Sequence, residues 1–260
     1  MVGFAPTMGA LHPGHLSLIE KSKSENEVTV ASIFVNPTQF NDPKDFEKYP
    51  VTISNDCKLL EAAGTDILFL PSVAEMYPGG TLTKTHYDLG LLETVLDGAF
   101  RPGHFQGVCQ VVQRLLEIVE PDQLYIGQKD FQQCMVLKRL VSIMGIATKI
   151  NIVPTLREAD GLAMSSRNLR LTAEERNRAT SIYRQLIYIQ ENVHAEKFAT
   201  LKKNAANALL AAGFTKVDYV EIADANTLQI LEEEKPGQRL VALIAAFNGD
   251  VRLIDNMILS

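Results

Sequence analysis

Residues 8–15 read Met-Gly-Ala-Leu-His-Pro-Gly-His and carry two imidazoles three positions apart. A short apolar run at 2–5 is followed by Pro6 and a Gly-containing turn, which leads into a predicted helix over about 15–25. Proline suits the first position of a helix, and the spacing puts His12 and His15 on one side of its first turn. Backbone N–H groups at a helix start attract phosphate, which neighbouring imidazoles can hydrogen-bond or neutralise. The segment predicts a phosphate site; the alternative is a helix-starting turn with two solvated histidines.

A second segment, residues 125–133, reads Tyr-Ile-Gly-Gln-Lys-Asp-Phe-Gln-Gln and follows a predicted strand directly. Lys129 and Asp130 fall where the next helix is predicted to begin. A lysine at a helix start opposes the helix dipole unless an anion is bound there. The position therefore favours a phosphate ligand, and the alternative is a solvated lysine at the tip of a loop.

A third segment, residues 158–168, reads Glu-Ala-Asp-Gly-Leu-Ala-Met-Ser-Ser-Arg-Asn. It supplies two hydroxyls, an arginine and Gly161, a composition found in phosphate-binding loops and in ordinary polar linkers alike. The three segments together provide candidates for a phosphate cradle, a cation and a lid. The residues alone therefore predict an ATP-type nucleotide site that performs phosphoryl or adenylyl chemistry.

Alternating strands and helices position these segments. Over the first 150 residues the pattern predicts an α/β fold with an open, doubly wound parallel sheet, whose ligands bind beyond the C-terminal strand ends where the strand order reverses. The predicted strands cover 2–5, 28–35, 66–70, 123–126 and 148–153, and the predicted helices cover 15–25, 52–63, 108–119 and 130–144.

The pattern changes after Pro154, which sets a predicted domain boundary near residue 155. Thr172 and Glu175 have the spacing of a capping box and should start one long helix that runs to about residue 196. A second helix ends near Gly213, and strands follow at 217–222, 239–247 and 251–258. The Asn-Gly-Asp turn at 248–250 joins the last two strands as a hairpin. The chain after the boundary is therefore predicted to be a smaller α+β unit.

Composition excludes several classes of protein. Among 260 residues, 46% are apolar and the formal charge is −6, which argues against disorder and against general binding to nucleic acid. The apolar runs are far shorter than the ~20 residues of a membrane-spanning helix, and no secretory signal is visible. The cysteines, Cys57, Cys109 and Cys134, are too scattered for a disulfide scaffold and are predicted to be buried thiols. We expect a cytoplasmic protein.

Residues 8–15 and 164–168 resemble the paired HIGH and KMSKS signatures of adenylyl-transferring Rossmann enzymes. Within that superfamily the sequence resembles the pantoate–β-alanine ligase family, through residues 34–40, 101–107, 127–133 and 153–168 as well. The resemblance implies a Rossmann-like domain over 1–155 that binds ATP and pantoate, and a smaller α+β lid domain over 156–260. Family members usually carry a segment of about a helix's length before the first strand, whereas this sequence starts at that strand.

The activity implied by the resemblance is an AMP-forming ligation in the pathway to pantothenate and coenzyme A. The pantoate carboxylate attacks the α-phosphate of ATP, and the amine of β-alanine then displaces AMP from pantoyl adenylate. Mg²⁺ accompanies the ATP phosphates, and the family tendency is a homodimer. The charge and the short apolar runs predict neither a nucleic-acid nor a membrane partner. Two rival hypotheses remain. One is another HIGH-type nucleotidylyltransferase, which leaves the adenylyl group on its product; the other is a catalytically silent nucleotide-binding module.

The resemblance also implies roles for individual residues. Catalysis falls to His12, His15 and Lys129, with His15 as the proton donor, and pantoate is held by Gln39 and Gln133, of which Gln39 also lies near β-alanine. No metal ligand is implied. From the residues themselves, His104 is predicted to be structural rather than catalytic. Asp56 is predicted to be a surface carboxylate of its helix, and the alternative is contact with a metal or water. The ATP-binding residues are Met8, Gly9, Ala10, Leu11, His12, Pro13, Gly14, His15, Gly127, Gln128, Lys129, Asp130, Leu156, Met164, Ser165, Ser166 and Arg167.

Overall fold

The computed structural model describes residues 1–40, 46–81 and 85–259, and the chain divides into two compact units. The first unit consists of Met1–Gln128 and Gln132–Pro154, and the second of Lys129–Phe131 and Thr155–Ser260. Within the described ranges, no helix is long and apolar enough to cross a membrane. The ligand-binding and lid roles of the two units remain predictions.

The first unit is built on a parallel sheet with the strand order β3-β2-β1-β4-β5. Chain order runs outward from β1 to β3 on one side and from β4 to β5 on the other, so the strand order reverses between β1 and β4. This arrangement confirms the predicted doubly wound sheet, and sheets of this kind generally bind ligands beyond the carboxyl ends of the strands where the order reverses. The strands are β1 (Val2–Thr7), β2 (Val28–Ile33), β3 (Ile67–Phe69), β4 (Gln123–Gly127) and β5 (Lys149–Val153).

Helices cover both faces of this sheet, because successive strand residues point to opposite sides. Phe4 and Leu124 belong to a core that includes helix α5, whereas their neighbours Ala5 and Tyr125 belong to a core with Leu18 of helix α1. The helices are α1 (Pro13–Glu25), α2 (Ile53–Ala62), α3 (Val73–Met76), α4 (Leu96–Phe100), α5 (His104–Val119) and α6 (Phe131–Met144).

Two segment ends near the predicted site differ from expectation. Strand β1 continues through Pro6 to Thr7, because Pro6 pairs with Ser32 in parallel register and the proline φ is compatible with a strand. The strand is therefore two residues longer than the predicted run at 2–5. The helix predicted from Asp130 begins at Phe131, and a 3₁₀ turn, Gln128–Asp130, comes before it.

The second unit packs helices against an antiparallel sheet in the order β6-β7-β8. The capping box of Thr172 and Glu175 is confirmed, but the single long helix is wrong, since the chain breaks it at Thr180. The Thr180 hydroxyl donates to the carbonyl of Asn177 at 2.8 Å, a local bond that competes with helix propagation. The elements are α7 (Ala173–Ala179), α8 (Ser181–Asn192), α9 (Phe198–Ala211), β6 (Lys216–Asp224), β7 (Leu240–Asn248) and β8 (Val251–Leu259).

The β7–β8 hairpin is confirmed, with Asn248 opposite Val251. Its positive φ occurs at Gly249, at 61°, and not at Asn248. The cysteine prediction holds for Cys109 and Cys134, whereas Cys57 is half-buried. Burial raises the pKa of the Cys109 thiol to about 12, so this thiol stays protonated.

Helix α5 approaches the 3₁₀ turn Pro37–Gln39 so closely that only glycine fits at position 107. A Cβ there would lie 2.1 Å from the Thr38 carbonyl oxygen. The carbonyl of Gly107 in turn accepts a hydrogen bond from Asn36 Nδ2 at 3.2 Å. The helix therefore fixes the backbone that carries Gln39.

Gly107→Ala tests this close approach. In a helix interior, alanine is normally more stable than glycine by about 1 kcal/mol. Here we expect the opposite sign, a free energy of unfolding lower by about 1–3 kcal/mol, because the added methyl overpacks the contact. Urea denaturation measures the change. Gly79→Ala is the control, since a Cβ at Gly79 meets nothing within 4 Å; a stabilised Gly107→Ala protein contradicts the prediction.

Candidate active site

His12 and His15 lie at the start of α1, directly after the loop that follows β1. His12 is the N-cap residue and Pro13 the first helical residue, as the sequence predicts. The two imidazole rings are 4.0 Å apart between centroids and inclined by 40°. The first turn of the helix carries no acidic residue, so its N–H groups and the two rings form a surface suited to an anion.

One hydrogen bond of His15 bears on its tautomer. The backbone N–H of His12 donates to His15 Nδ1 at 3.4 Å, a long bond that requires an unprotonated Nδ1. In the neutral ring the proton then resides on Nε2. His15 can therefore present an Nε2–H donor, which is the group needed to hydrogen-bond a phosphate oxygen.

A buried carboxylate holds the loop that leads to this histidine pair. The backbone N–H groups of Ala10 and Leu11 donate to the Asp56 carboxylate at 3.0 and 2.9 Å, and Asp56 is fully buried. Gly9 and Ala10 have positive φ values of 79° and 49°, and Ala10 is under backbone strain in this conformation. The prediction of a surface carboxylate at Asp56 is therefore wrong. Only the contact between α2 and the loop reveals the role of this side chain.

Gln39 lies at the end of the 3₁₀ turn after β2, and its side chain contacts the first motif. Its Nε2 donates to the sulfur of Met8 at 3.2 Å, and its Oε1 accepts from Asn36 Nδ2 at 3.1 Å. Asn36 is itself fixed by the hydroxyl of Tyr77, which donates to its Oδ1 at 2.7 Å. Burial raises the pKa of that hydroxyl, so it remains protonated and acts as the donor.

The structural role predicted for His104 is consistent with its contacts. The Gln39 carbonyl is a pure acceptor and lies 2.7 Å from His104 Nδ1, so that nitrogen carries the proton. Nε2 accepts from the guanidinium of Arg101 at 3.0 Å. His104 is buried and neutral in this arrangement, and its bond to the Gln39 carbonyl fixes the main chain of that residue.

Two consecutive glutamines at the start of α6 have different roles. Gln132 is 3% exposed and bonds only main-chain groups: it accepts from the N–H of Asp97 and donates to the carbonyls of Leu92 and Val95, each at 2.9 Å. Gln133 is half-buried, and its side chain makes no hydrogen bond to any described residue. Its amide is therefore available for a ligand.

In the second unit, Lys129 lies on the 3₁₀ turn that precedes α6. Its side chain is 18% exposed, and its ammonium lies 3.6 Å from the carboxylate of Asp130. The main-chain oxygen of Lys129 accepts from Asn256 Nδ2 at 2.9 Å. The solvated lysine at a loop tip, the alternative left open by the sequence, does not describe this side chain.

Residues 156–164 form a small hairpin that delivers the Ser-Ser-Arg segment. Met164 N–H donates to the Leu156 carbonyl at 3.0 Å, so the structure brings these two predicted ATP-binding residues together. Ser165 caps the following 3₁₀ turn, Ser166–Arg170, by accepting from the N–H of Arg167 at 3.3 Å. Ser166 is buried and Arg167 half-buried.

The remaining predicted residues occupy the ends of the elements that carry the site. Gly127 ends β4, and Gln128 begins the 3₁₀ turn after it. Gly14 lies in the first turn of α1. Within the first unit the structure therefore brings Met8 into contact with Gln39 and pairs His12 with His15. No hydrogen bond among the described residues joins Gln133 to this set.

Replacing Asp56 by alanine should loosen the loop and destabilise the protein. Two buried N–H groups lose their acceptor, at a cost of ~1–3 kcal/mol each, so we expect a fall of about 2–6 kcal/mol in the free energy of unfolding. Glu61→Ala, at an exposed position on the same helix, serves as control and should change stability by less than about 0.5 kcal/mol. Equal effects of the two variants in urea denaturation would contradict the assigned role.

Known proteins that this chain resembles belong to one family. The pantothenate synthetases of Bacteroides fragilis and Cytophaga hutchinsonii are each 48% identical to this chain, over 98% and 99% of it and over 90% and 91% of their own lengths. The crystal structure of pantothenate synthetase from Thermus thermophilus matches with a TM-score of 0.92 at 43% identity, covering 99% of this chain and 93% of that one.

A second solved structure includes ligands. It is the pantoate-β-alanine ligase of Francisella tularensis complexed with β-γ ATP and β-alanine, with a TM-score of 0.82 at 41% identity, covering 99% of this chain and 89% of that one. The family model described as pantoate-beta-alanine ligase matches residues 1–258. ATP is a substrate of this ligase family. On fold, site geometry and sequence together, the chain belongs to the pantoate–β-alanine ligase family.

Proposed function

We propose that this chain condenses pantoate with β-alanine through pantoyl adenylate, with ATP as the adenylyl donor. The observation that carries the proposal is the His12–His15 pair at the start of α1, beyond β1 and beside the reversal of strand order. The contact of Gln39 with Met8 adds an amide suited to pantoate next to that pair. The ligands of the Francisella tularensis relative support ATP and β-alanine as ligands here.

In the first step, a pantoate carboxylate oxygen forms a bond to the α-phosphorus, and the bond to the departing pyrophosphate breaks. Negative charge grows on the α-phosphate and on the leaving group. His15, through its Nε2–H, and Lys129 stabilise that charge in our proposal, and Ser165, Ser166 and Arg167 bind the phosphates. Preorganised donors of this kind contribute ~3–4 kcal/mol each in comparable sites.

In the second step, the β-alanine amine attacks the acyl carbon of pantoyl adenylate. A carbon–nitrogen bond forms, the carbon–oxygen bond to AMP breaks, and the amine loses a proton to water. Gln39 and Gln133 orient pantoate for both steps, because an amide can donate to a carboxylate and accept from a hydroxyl. Neutral amides hold the acid without the tight ion pairing that would reduce its nucleophilicity.

Mg²⁺ enters this proposal as a companion of ATP. No group of three or more His, Cys, Asp or Glu residues suited to a metal occurs among the described residues. Mg²⁺ usually retains several coordinated water molecules and is held largely by substrate phosphates, so it does not require such a group. When bound, Mg²⁺ neutralises phosphate charge, and we assign no protein ligand to it. A homodimer remains a prediction from the resemblance, and a cytoplasmic location remains a prediction from composition.

Omitting one substrate at a time tests the proposed reaction against its rivals. We expect labelled pyrophosphate to exchange into ATP only with pantoate present, and AMP to be released only when β-alanine is added. A nucleotidylyltransferase that keeps the adenylyl group on its product releases no AMP with β-alanine. A silent module binds ATP in calorimetry and forms no AMP under any condition.

His15→Ala and Lys129→Ala should each slow adenylation about 10²–10³-fold, the scale expected for losing one preorganised donor. Single-turnover formation of the adenylate, with ATP and pantoate saturating, measures the rate. His86→Ala and Lys138→Ala are matched controls, because both side chains are exposed. Near-normal rates in both test variants would overturn their roles.

Gln133→Ala should raise the pantoate KM roughly 10–100-fold with little change in ATP affinity, since each unpaired buried group costs ~1–3 kcal/mol and 1.4 kcal/mol is tenfold. The Tm should stay near that of the parent. The control is its neighbour: Gln132→Ala removes three main-chain hydrogen bonds and should lower the Tm without a pantoate-selective effect. If the two variants behave alike, the pantoate contact of Gln133 is wrong.

A further inference from the structure

Strand β8 carries a buried pair of polar residues that none of the assigned roles uses. Asp255 and Asn256 are 5% and 2% exposed and lie opposite Ile244 and Leu243 of β7. Polar side chains are rarely buried to this extent unless they satisfy specific partners. Their partners lie on two segments that carry the proposed phosphate-binding residues, and both segments belong to the second unit.

Asn256 fixes the main chain of Lys129. Its Nδ2 donates to the Lys129 carbonyl at 2.9 Å, across 127 positions of sequence. Because the bond ends on the backbone, it sets the position of the residue and leaves the ammonium at the end of its side chain to reach a ligand. A 3₁₀ turn has poorer internal hydrogen-bond geometry than an α-helix, so an external donor at this point contributes to its rigidity.

Asp255 fixes the hairpin that leads to Ser165. The guanidinium of Arg157 donates to both of its carboxylate oxygens, at 2.6 and 3.0 Å, and also to the carbonyl of Gly161 at 3.1 Å. Arg157 stands at the base of the hairpin and Gly161 at its turn, so one side chain ties the hairpin to β8. Burial raises the pKa of the Asp255 carboxyl, and the facing guanidinium opposes that rise by favouring the carboxylate.

An aromatic ring also packs against the guanidinium of Arg157. The guanidinium of Arg157 lies over the ring of Tyr183 at 4.5 Å from its centroid, a cation–π geometry that restricts the plane of the guanidinium. Gly161 has a φ of 90°, and a Cβ there would lie 2.0 Å from the Tyr183 ring. The glycine of the hairpin turn is therefore required for the ring to pack against it.

We infer that Asp255 and Asn256 are positioning residues of the adenylation step: Asn256 acts through the main chain of Lys129, and Asp255 acts through Arg157 on the segment that carries Ser165, Ser166 and Arg167. The inference rests on the proposed function of these phosphate-binding residues. Neither side chain touches substrate in this assignment. One dipeptide of β8 thus aligns two segments that are distant in sequence.

The test of Asn256 is a double-mutant cycle with Lys129. Asn256→Ala should slow single-turnover adenylation about tenfold in the parent and less than about twofold in Lys129→Ala. Misplacing the Lys129 ammonium can slow the reaction only in a protein that still has this ammonium. Equal slowing in both backgrounds marks a general structural effect and overturns the inference. A Lys129→Ala protein of parental rate instead shows that the proposed function of Lys129 has failed.

The control is a second buried ion pair of the same sheet. Asp218 pairs with Arg252 at 2.8 Å, with side chains 3% and 15% exposed, close to the 4% and 19% of Asp255 and Arg157. Asp218→Asn should lower the free energy of unfolding about as much as Asp255→Asn does. It should leave the adenylation rate within about twofold of the parent. If it slows adenylation as much as Asn256→Ala does, the positioning role is wrong.

Hydrogen exchange tests Asp255 without reference to activity. In Asp255→Asn, the amides of Glu158, Gly161 and Met164, which are bonded within the hairpin, should exchange at least about tenfold faster than in Asp218→Asn. Arg157→Lys keeps the charge but not the two parallel bonds, and we expect the same acceleration of exchange in it. This variant replaces Asp255→Asn in the experiment if Asp255→Asn does not fold. Unchanged exchange in the folded variant would overturn the role of Asp255.

Discussion

The two N–H groups of Ala10 and Leu11 that donate to the buried Asp56 carboxylate hold the start of the first helix in place. The chain must turn sharply between the last residue of β1 and the first residue of α1. It does so through positive φ values at Gly9 and at Ala10, where a side chain makes the conformation unfavourable. The carboxylate stabilises this turn, and the turn leads directly into the first residues of α1, which carry the two imidazoles.

The same physical solution recurs at two candidate functional residues that stand on irregular backbone. His104 donates to the main-chain carbonyl of Gln39, and Asn256 donates to that of Lys129. In each case a buried polar side chain, distant in sequence, satisfies a main-chain group of a short turn. The functional side chain is thereby positioned without being consumed in the bond. Backbone groups that lack a helical or sheet partner need such acceptors and donors, and this need ties the loops to the scaffold.

Consecutive residues divide these tasks between structure and chemistry. Gln132 and Gln133 follow one another on α6, yet the first bonds three main-chain groups and the second leaves its amide available. Helical geometry sets neighbouring side chains about 100° apart, so one faces the interior of the unit while the other faces away from it. Stability and ligand binding can therefore be changed separately at adjacent positions.

The sequence by itself determined the doubly wound sheet, because strand and helix periodicities depend only on local pattern and on the alternation of apolar residues. It also determined the hairpin at Gly249, the capping box of Thr172 and the family, whose motifs lie in contiguous stretches. Local chemistry is sufficient for such features, since the residues that specify them lie within a few positions of each other.

Features that depend on contacts between distant segments were decided only by the tertiary structure. Asp56 reads as a surface carboxylate in its helix, and it is the fold that buries it against the loop after β1. The sequence pattern does not reveal the break at Thr180, because a side-chain bond to Asn177 competes there with a strong helical periodicity. The contact between Asn256 and Lys129 spans 127 positions, and no periodicity encodes a pairing at that separation. Hydrogen bonds that satisfy buried main-chain groups depend on which segments meet, and the meeting is fixed by packing of the whole unit.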